Sequence, residues 1–135
     1  MSDLIASDNP FNAEECATLR DIVQAMIPAS ENRPSAADEL IFTDIVQTAR
    51  SAETVVRQVI KKVAAEGMDA VAGSQASNVR ALVSIVVQCY YRDDRVMQSL
   101  DMEARPPHPQ GYALPEDDWS LLDPVKARGV IYREV

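Results

Sequence analysis

The sequence predicts an all-α fold: about four amphipathic helices in a small bundle, followed by a long, irregular, proline-rich carboxy-terminal tail. Three observations carry that expectation. Apolar residues recur at helical spacing through most of the chain. No stretch alternates apolar and polar residues as a half-buried strand does. From Ala104 onward, prolines and a broken period replace the pattern. At 135 residues, 47% of them hydrophobic, the chain has material for one domain with a real core.

The first element follows a polar arm, residues 1–10, that ends at Pro10. Asn12 with Glu15 forms a capping box, and Phe11 stands one residue before the cap, where a hydrophobic staple sits. Leu19, Ile22, Val23, Met26 and Ile27 then share one face, predicting a helix over about 13–27. The run PASENRP, residues 28–34, interrupts the pattern, and Ser35 with Asp38 supplies the next cap. Ile41, Phe42, Ile45, Val46 and Ala49 predict a second helix over about 36–49.

Ser51 is the expected cap of a third helix. In it Val55, Val56, Val59, Ile60 and Val63 turn to the core and Arg57, Lys61 and Lys62 to water, with Gly67 or Gly73 ending it. After the turn-rich GMDAVAGSQAS, helical spacing resumes with Val79, Leu82, Val83, Val86, Val87 and Tyr90. The β-branched run SIVVQ has strand propensity. The stripe nevertheless continues through Val96, Met97 and Leu100, too far for a typical strand, so one long fourth helix is expected.

The tail differs in kind. RPPHPQG lacks amide donors at its prolines and favours extended backbone. Beyond it Tyr112, Leu114, Trp119, Leu121, Leu122, Val125, Val130, Ile131 and Tyr132 are apolar but fit no single period. DPVKARGV suits a single helical turn with Pro124 at its first position. Ordering so long a segment costs more backbone entropy than a four-helix domain of this size can offset by burying it. The expected layout is therefore a flexible arm over 1–10, a helical domain over 11–103, and a tail over 104–135 that packs on the domain and on a partner subunit.

Charge and composition narrow the function. A net charge of −8 disfavours nucleic acid, and an aromatic share of 5% leaves few stacking platforms for bases or flat cofactors. Acids outnumber bases nine to three over residues 1–50 and nine to five over 93–135, while bases lead five to three between them. The amino terminus is acidic where an export signal is basic, and it holds no twin-arginine pair. The longest apolar stretch, Ala81 to Tyr91, is too short to span a bilayer. The expectation is a cytoplasmic protein with no direct membrane insertion.

Candidate chemistry is sparse. Cys16 and Cys89 lie in amphipathic segments, where a thiol behaves as a small buried hydrophobe, and no CxxC marks a metal or haem site. His108, the lone histidine, stands between two prolines and reads better as a loop or contact residue than as an acid–base catalyst. Asp93 and Asp94 point about 100° apart on a helix, so helix-end or ion-pair roles with Arg92 and Arg95 outweigh a carboxylate pair. No nucleophile elbow, SxxK or P-loop occurs. No catalytic, cofactor-binding or metal-ligating residue is assigned.

Tyrosine, tryptophan and arginine are the side chains that most often anchor interfaces. Here they cluster late in the sequence. The expected partner surface comprises Tyr90, Tyr91, Arg95, Arg105, Pro106, Pro107, His108, Trp119, Leu122 and Tyr132. Their bland role, packing the tail on the fourth helix, is compatible with it.

Four segments in order, IPAS with the small residues after it (Ile27 to Ala37), YYRDDRV (Tyr90 to Val96), RPPHPQG (Arg105 to Gly111) and DWSLLDPV (Asp118 to Val125), resemble the gluconate 2-dehydrogenase subunit 3 family. The resemblance runs from about Phe11 to the end. It implies a non-catalytic helical subunit bound to a large glucose–methanol–choline-type oxidoreductase that holds the FAD and the reactive histidine. It implies, too, that the small subunit stabilises the large one and helps shape its substrate entrance. Many relatives carry a twin-arginine export signal. Its absence here leaves a cytoplasmic complex, or export with the large subunit, and the cytochrome partner of those relatives is not carried over. Two other classes compete: a free-standing regulatory or adaptor module, and a small enzyme using Asp93, Asp94 and His108.

Overall fold

A computed structural model describes residues 9–104, 111 and 118–130. Among these the chain is all α, in the order α1 (Ala13–Met26), α2 (Glu39–Ala49), α3 (Glu53–Glu66), α4 (Ser77–Arg92), α5 (Asp94–Ser99) and α6 (Asp123–Ala127). Short 3-10 turns occupy Arg50–Ala52, Met68–Ala70 and Trp119–Leu122. No strand occurs among the described residues. α4 packs against both α2 and α3, and α1 packs against α3.

Local chemistry explains the helix starts. Asn12 Oδ1 accepts from the Glu15 amide at 2.8 Å and Glu15 Oε2 accepts from the Asn12 amide at 3.1 Å, completing the predicted capping box. Phe11 is buried beside it. At α2 the cap is Asp38, which accepts from the Leu40 amide at 3.2 Å, and Ser35 is spent one turn earlier on the Ala37 amide. The helix therefore starts at Glu39, later than the spacing suggested.

Ser51 does not cap α3: its hydroxyl turns back to donate to the Thr48 carbonyl at 2.9 Å, and the chain enters α3 through a 3-10 turn. Gly67, with φ of 88°, ends α3 in a conformation that L side chains rarely adopt.

Most of the predicted core positions are buried, while Val55 is only half-buried and Val83 and Val87 are exposed. Leu19, Ile22 and Val23 of α1, Ile41, Ile45 and Val46 of α2, Val56, Val59 and Ile60 of α3, and Leu82 and Val86 of α4 form one buried cluster. SIVVQ is helical, since burying Val86 between α2 and α3 outweighs the weak strand preference of β-branched residues.

Two expectations need correction. The fourth helix does not run through to Leu100: Asp93 leaves the helical conformation (ψ 126°) and caps a separate α5 by accepting from the Arg95 and Val96 amides at 2.9 and 3.4 Å. An aspartate in mid-helix competes for backbone donors, and here it wins. Arg57, expected to face water, is instead a clasp. It donates to Glu15 Oε1 at 2.8 Å, to Glu53, and to the Pro10 carbonyl at 2.7 Å, and it lies 5.6 Å from the centroid of the Phe11 ring. That clasp anchors Asn9 and Pro10, the last residues of the expected arm; residues 1–8 lie outside the described residues.

Both cysteines are free, as expected. Cys89 is buried, donates to Thr48 Oγ1 at 3.4 Å, and burial pushes its thiol up from the ordinary value. Cys16 is only half-buried. In native protein Cys89 should react with a disulfide reagent at least about tenfold more slowly than Cys16, because it is the more buried thiol and burial disfavours its thiolate. The difference should vanish in guanidinium; equal native rates, read by mass spectrometry, would contradict the packing described. Ile45→Ala, at a fully buried position, should lower unfolding free energy by roughly 2–5 kcal/mol in urea titration.

Candidate partner-binding surface

The connection between α1 and α2 is pinned from three helices, and this pinning builds one end of the bundle. Arg20 of α1 donates to the Ala37 carbonyl at 2.8 Å while its guanidinium lies 4.1 Å from the Phe42 ring centroid. The Tyr90 hydroxyl of α4 donates to the Pro34 carbonyl at 3.0 Å. Arg95 of α5 donates to Asp38 Oδ1 at 2.7 Å and to Asp93 Oδ2 at 2.9 Å. One guanidinium thus joins the N-cap of α2 to the N-cap of α5.

The electrostatics follow from that geometry. Hydrogen bonds from Arg95 hold the Asp38 and Asp93 carboxyls below their ordinary value, against the opposing effect of burial. The same two carboxylates push the Arg95 guanidinium up, chiefly through their hydrogen bonds to it. Its side chain is still nearly half exposed, so solvent screens the network. Beside it, Leu40, Ile41, Asp44, Cys89 and Arg92 border an open depression of about 380 Å³. Arg92 pairs with Asp44 across it at 3.3 Å, and Leu40 on its rim is 67% exposed.

Tyr90, Tyr91 and Arg95 come together at this end. Tyr90 is a core residue whose ring is buried and whose hydroxyl is satisfied within the chain, so its contact surface is spent internally. Tyr91, 46% exposed, stands edge-to-face on it with ring centroids 5.3 Å apart. Tyr91 thus rests on a buried ring and presents its other side to solvent.

Trp119 and Leu122 belong to a second feature. Asp118 accepts from the Ser120 amide at 3.1 Å and from its hydroxyl at 2.5 Å, starting a 3-10 turn that leads directly into α6. The Ser120 hydroxyl holds the Asp118 carboxyl below its ordinary value. Pro124 falls in the first turn of α6, one residue after its start at Asp123. The turn and α6 pack on each other. Trp119, Leu121, Leu122, Val125 and Val130 are all exposed, from 41% at Leu122 to 77% at Leu121. Among the described residues no ring contact joins Trp119 to Tyr91. Arg105, Pro106, Pro107, His108 and Tyr132 lie outside the described residues, as do Tyr112 and Leu114.

The residue pattern missed three contributors. Leu40, beside the stripe of α2, points outward. Val83 and Val87, expected in the core stripe of α4, are each 39% exposed. The signal was present: Val83, Val87 and Tyr91 are spaced by four, and each step of four drifts about 40° around a helix of 3.6 residues per turn. All three lie off the buried face, at 39%, 39% and 46% exposure. Among the described residues no group of three or more histidine, cysteine or acidic side chains is placed to hold a metal ion, and no helix is long and apolar enough to cross a membrane. Compared with family models, curated proteins and solved structures, the chain matches none.

The Arg95 network carries a pH signature. Asp38 and Asp93 are lowered in the folded state, so their contribution to stability is complete above the unfolded value of 3.8 and is lost as pH falls below it, through the lowered values. Arg95→Met should cost roughly 1 kcal/mol near pH 7, as an exposed charge network does. The gap to wild type should narrow on going to about pH 3. An equal gap in urea unfolding at both pH values would show that Arg95 acts through its aliphatic stem alone.

Proposed function

We propose that this chain is the non-catalytic small subunit of an FAD-dependent oxidoreductase complex acting on a sugar or alcohol CH–OH group. It binds a large flavoprotein subunit, stabilises it, and contributes to its substrate entrance. The observation that carries the reading is the 118–130 segment: five large apolar side chains, one of them the only tryptophan, all left to solvent. Apolar surface concentrated in this way marks an interaction site, and tryptophan and arginine are the commonest interface anchors. The identity of the partner rests on the resemblance of IPAS, YYRDDRV, RPPHPQG and DWSLLDPV, in that order, to the subunit 3 family.

On this reading the FAD and the reacting groups belong to the large subunit. This chain supplies Tyr91 and the half-exposed Arg95 at one end of the bundle, and Trp119 and Leu122 on the 118–130 segment. Covering Trp119 and its neighbours removes apolar area from water at roughly 25 cal/mol per Å². That gain favours the folded large subunit, because binding to a native state alone stabilises it by mass action.

Affinity capture of the full chain from its native cells tests the reading. The expected result is co-elution of a large subunit with a flavin absorbance spectrum. Trp119→Ala and Tyr91→Ala should each weaken the complex by more than about 1 kcal/mol, roughly a fivefold rise in Kd. Capture of a partner without flavin would transfer the chain to the adaptor class. Unchanged affinity in both variants would remove these residues as anchors.

A further inference from the structure

A second feature lies away from the Arg95 network and is independent of the reading above. Between the carboxy-terminal half of α1, the first half of α4 and the 67–76 connection there is a cleft of about 390 Å³. Ile22 and Met26 come from α1, Val59 from α3, Val71 from the connection, and Leu82 and Val83 from α4. None of its described lining side chains is charged. The only polar side chains are Ser74 and Gln75, adjacent on the connection. Ser74 Oγ is occupied by the Ala76 amide at 3.3 Å, whereas the Gln75 amide makes no hydrogen bond among the described residues.

We propose that this cleft binds a neutral, mainly apolar small molecule with one hydrogen-bonding end. Its body lies on Met26, Met68 and Val83, above the buried Ile22, Val59 and Leu82, and its polar end meets Gln75. Size, polarity and shape each support this. An engineered apolar cavity of ~150 Å³ holds one benzene ring, so this cleft has room for roughly two fused rings or a chain of comparable bulk. Pockets for small ligands are mostly apolar, with a few polar groups that fix orientation, and this one has that balance.

The lack of lining charge selects against ionised ligands, since a carboxylate or ammonium would be desolvated with no opposite charge to meet it. The connection forms a wall between α1 and α4. A compact ligand fits such a recess better than a helix, which needs a trough open at both ends. Met26 and a second methionine on the connection, Met68, give walls that adapt to ligand shape.

The test uses the full chain and a neutral fluorescent probe, N-phenyl-1-naphthylamine. One saturable site is expected, with 1-octanol displacing the probe at least about tenfold more effectively than octanoate at pH 8, because only the carboxylate suffers uncompensated desolvation. Ala25→Phe, at an exposed position lining the cleft, and Val83→Asp, on its half-exposed edge, should each lower probe affinity by more than about tenfold while circular dichroism melts stay unchanged. The proposal fails if no saturable site appears or if octanoate competes as well as octanol. It fails equally if either variant stays folded and binds the probe as wild type does.

Discussion

Helix α4 carries more apolar surface than its neighbours can cover, and much of the molecule follows from that imbalance. Two helices, α2 and α3, pack on it. Between them they bury Val79, Leu82, Val86, Cys89 and Tyr90. A stripe of that width is what a globular helix normally offers its core. Val83, Val87 and Tyr91 extend it sideways at steps of four. Because α1 packs chiefly on α3, this flank of α4 has no full partner. Near its start the uncovered flank becomes one wall of the cleft, and near its end it becomes the exposed tyrosine.

Charged side chains complete what apolar packing leaves undetermined. The α1–α2 connection has few apolar residues of its own to bury, yet Arg20, Tyr90 and Arg95 fix it at Ala37, Pro34 and Asp38. Arg57 does the same for the amino terminus at Pro10. Each of these contacts joins residues far apart in sequence, and each satisfies a carbonyl or a capping carboxylate near a helix end. Singly, exposed ion pairs add little stability. Their effect here is on register: they set where α2 begins, where α4 gives way to α5, and hence how Tyr91 is presented.

The fold class and core faces were legible in the sequence because they depend on local periodicity and capping. The Asn12–Glu15 box, the stripes of α1 to α3 and the glycine stop at Gly67 needed no tertiary knowledge. What was not legible depended on competition between local and distant partners. The helix-end and Arg95-pairing roles of Asp93 were readable, but not that its capping of α5 would break the fourth helix inside an unbroken apolar period. Arg57 looks solvated in a helical wheel, since the residues that hold it, Glu15 and Pro10, are more than forty positions away. Of the residues read as a contact surface, Tyr91, Arg95, Trp119 and Leu122 are exposed, and Tyr90 is buried beneath Tyr91. A helical period separates Tyr90 from Tyr91 by about 100°. It does not say which of the two faces inward.

Two kinds of uncovered apolar surface therefore coexist, and they differ in what can satisfy them. The cleft is concave, uncharged and walled by the 67–76 connection, so a small ligand can remove it from water without rearranging the chain. The Trp119 segment packs on itself and leaves an indole and four aliphatic side chains exposed. The proposed ligand site and the proposed interaction surface thus lie on different parts of the chain. The whole chain is acidic, with a net charge of −8. Yet Asp118 and Asp123 are matched by Lys126 and Arg128, so the segment from 118 to 130 is itself electrically neutral. A segment of no net charge sets no electrostatic preference on the partner it is proposed to meet.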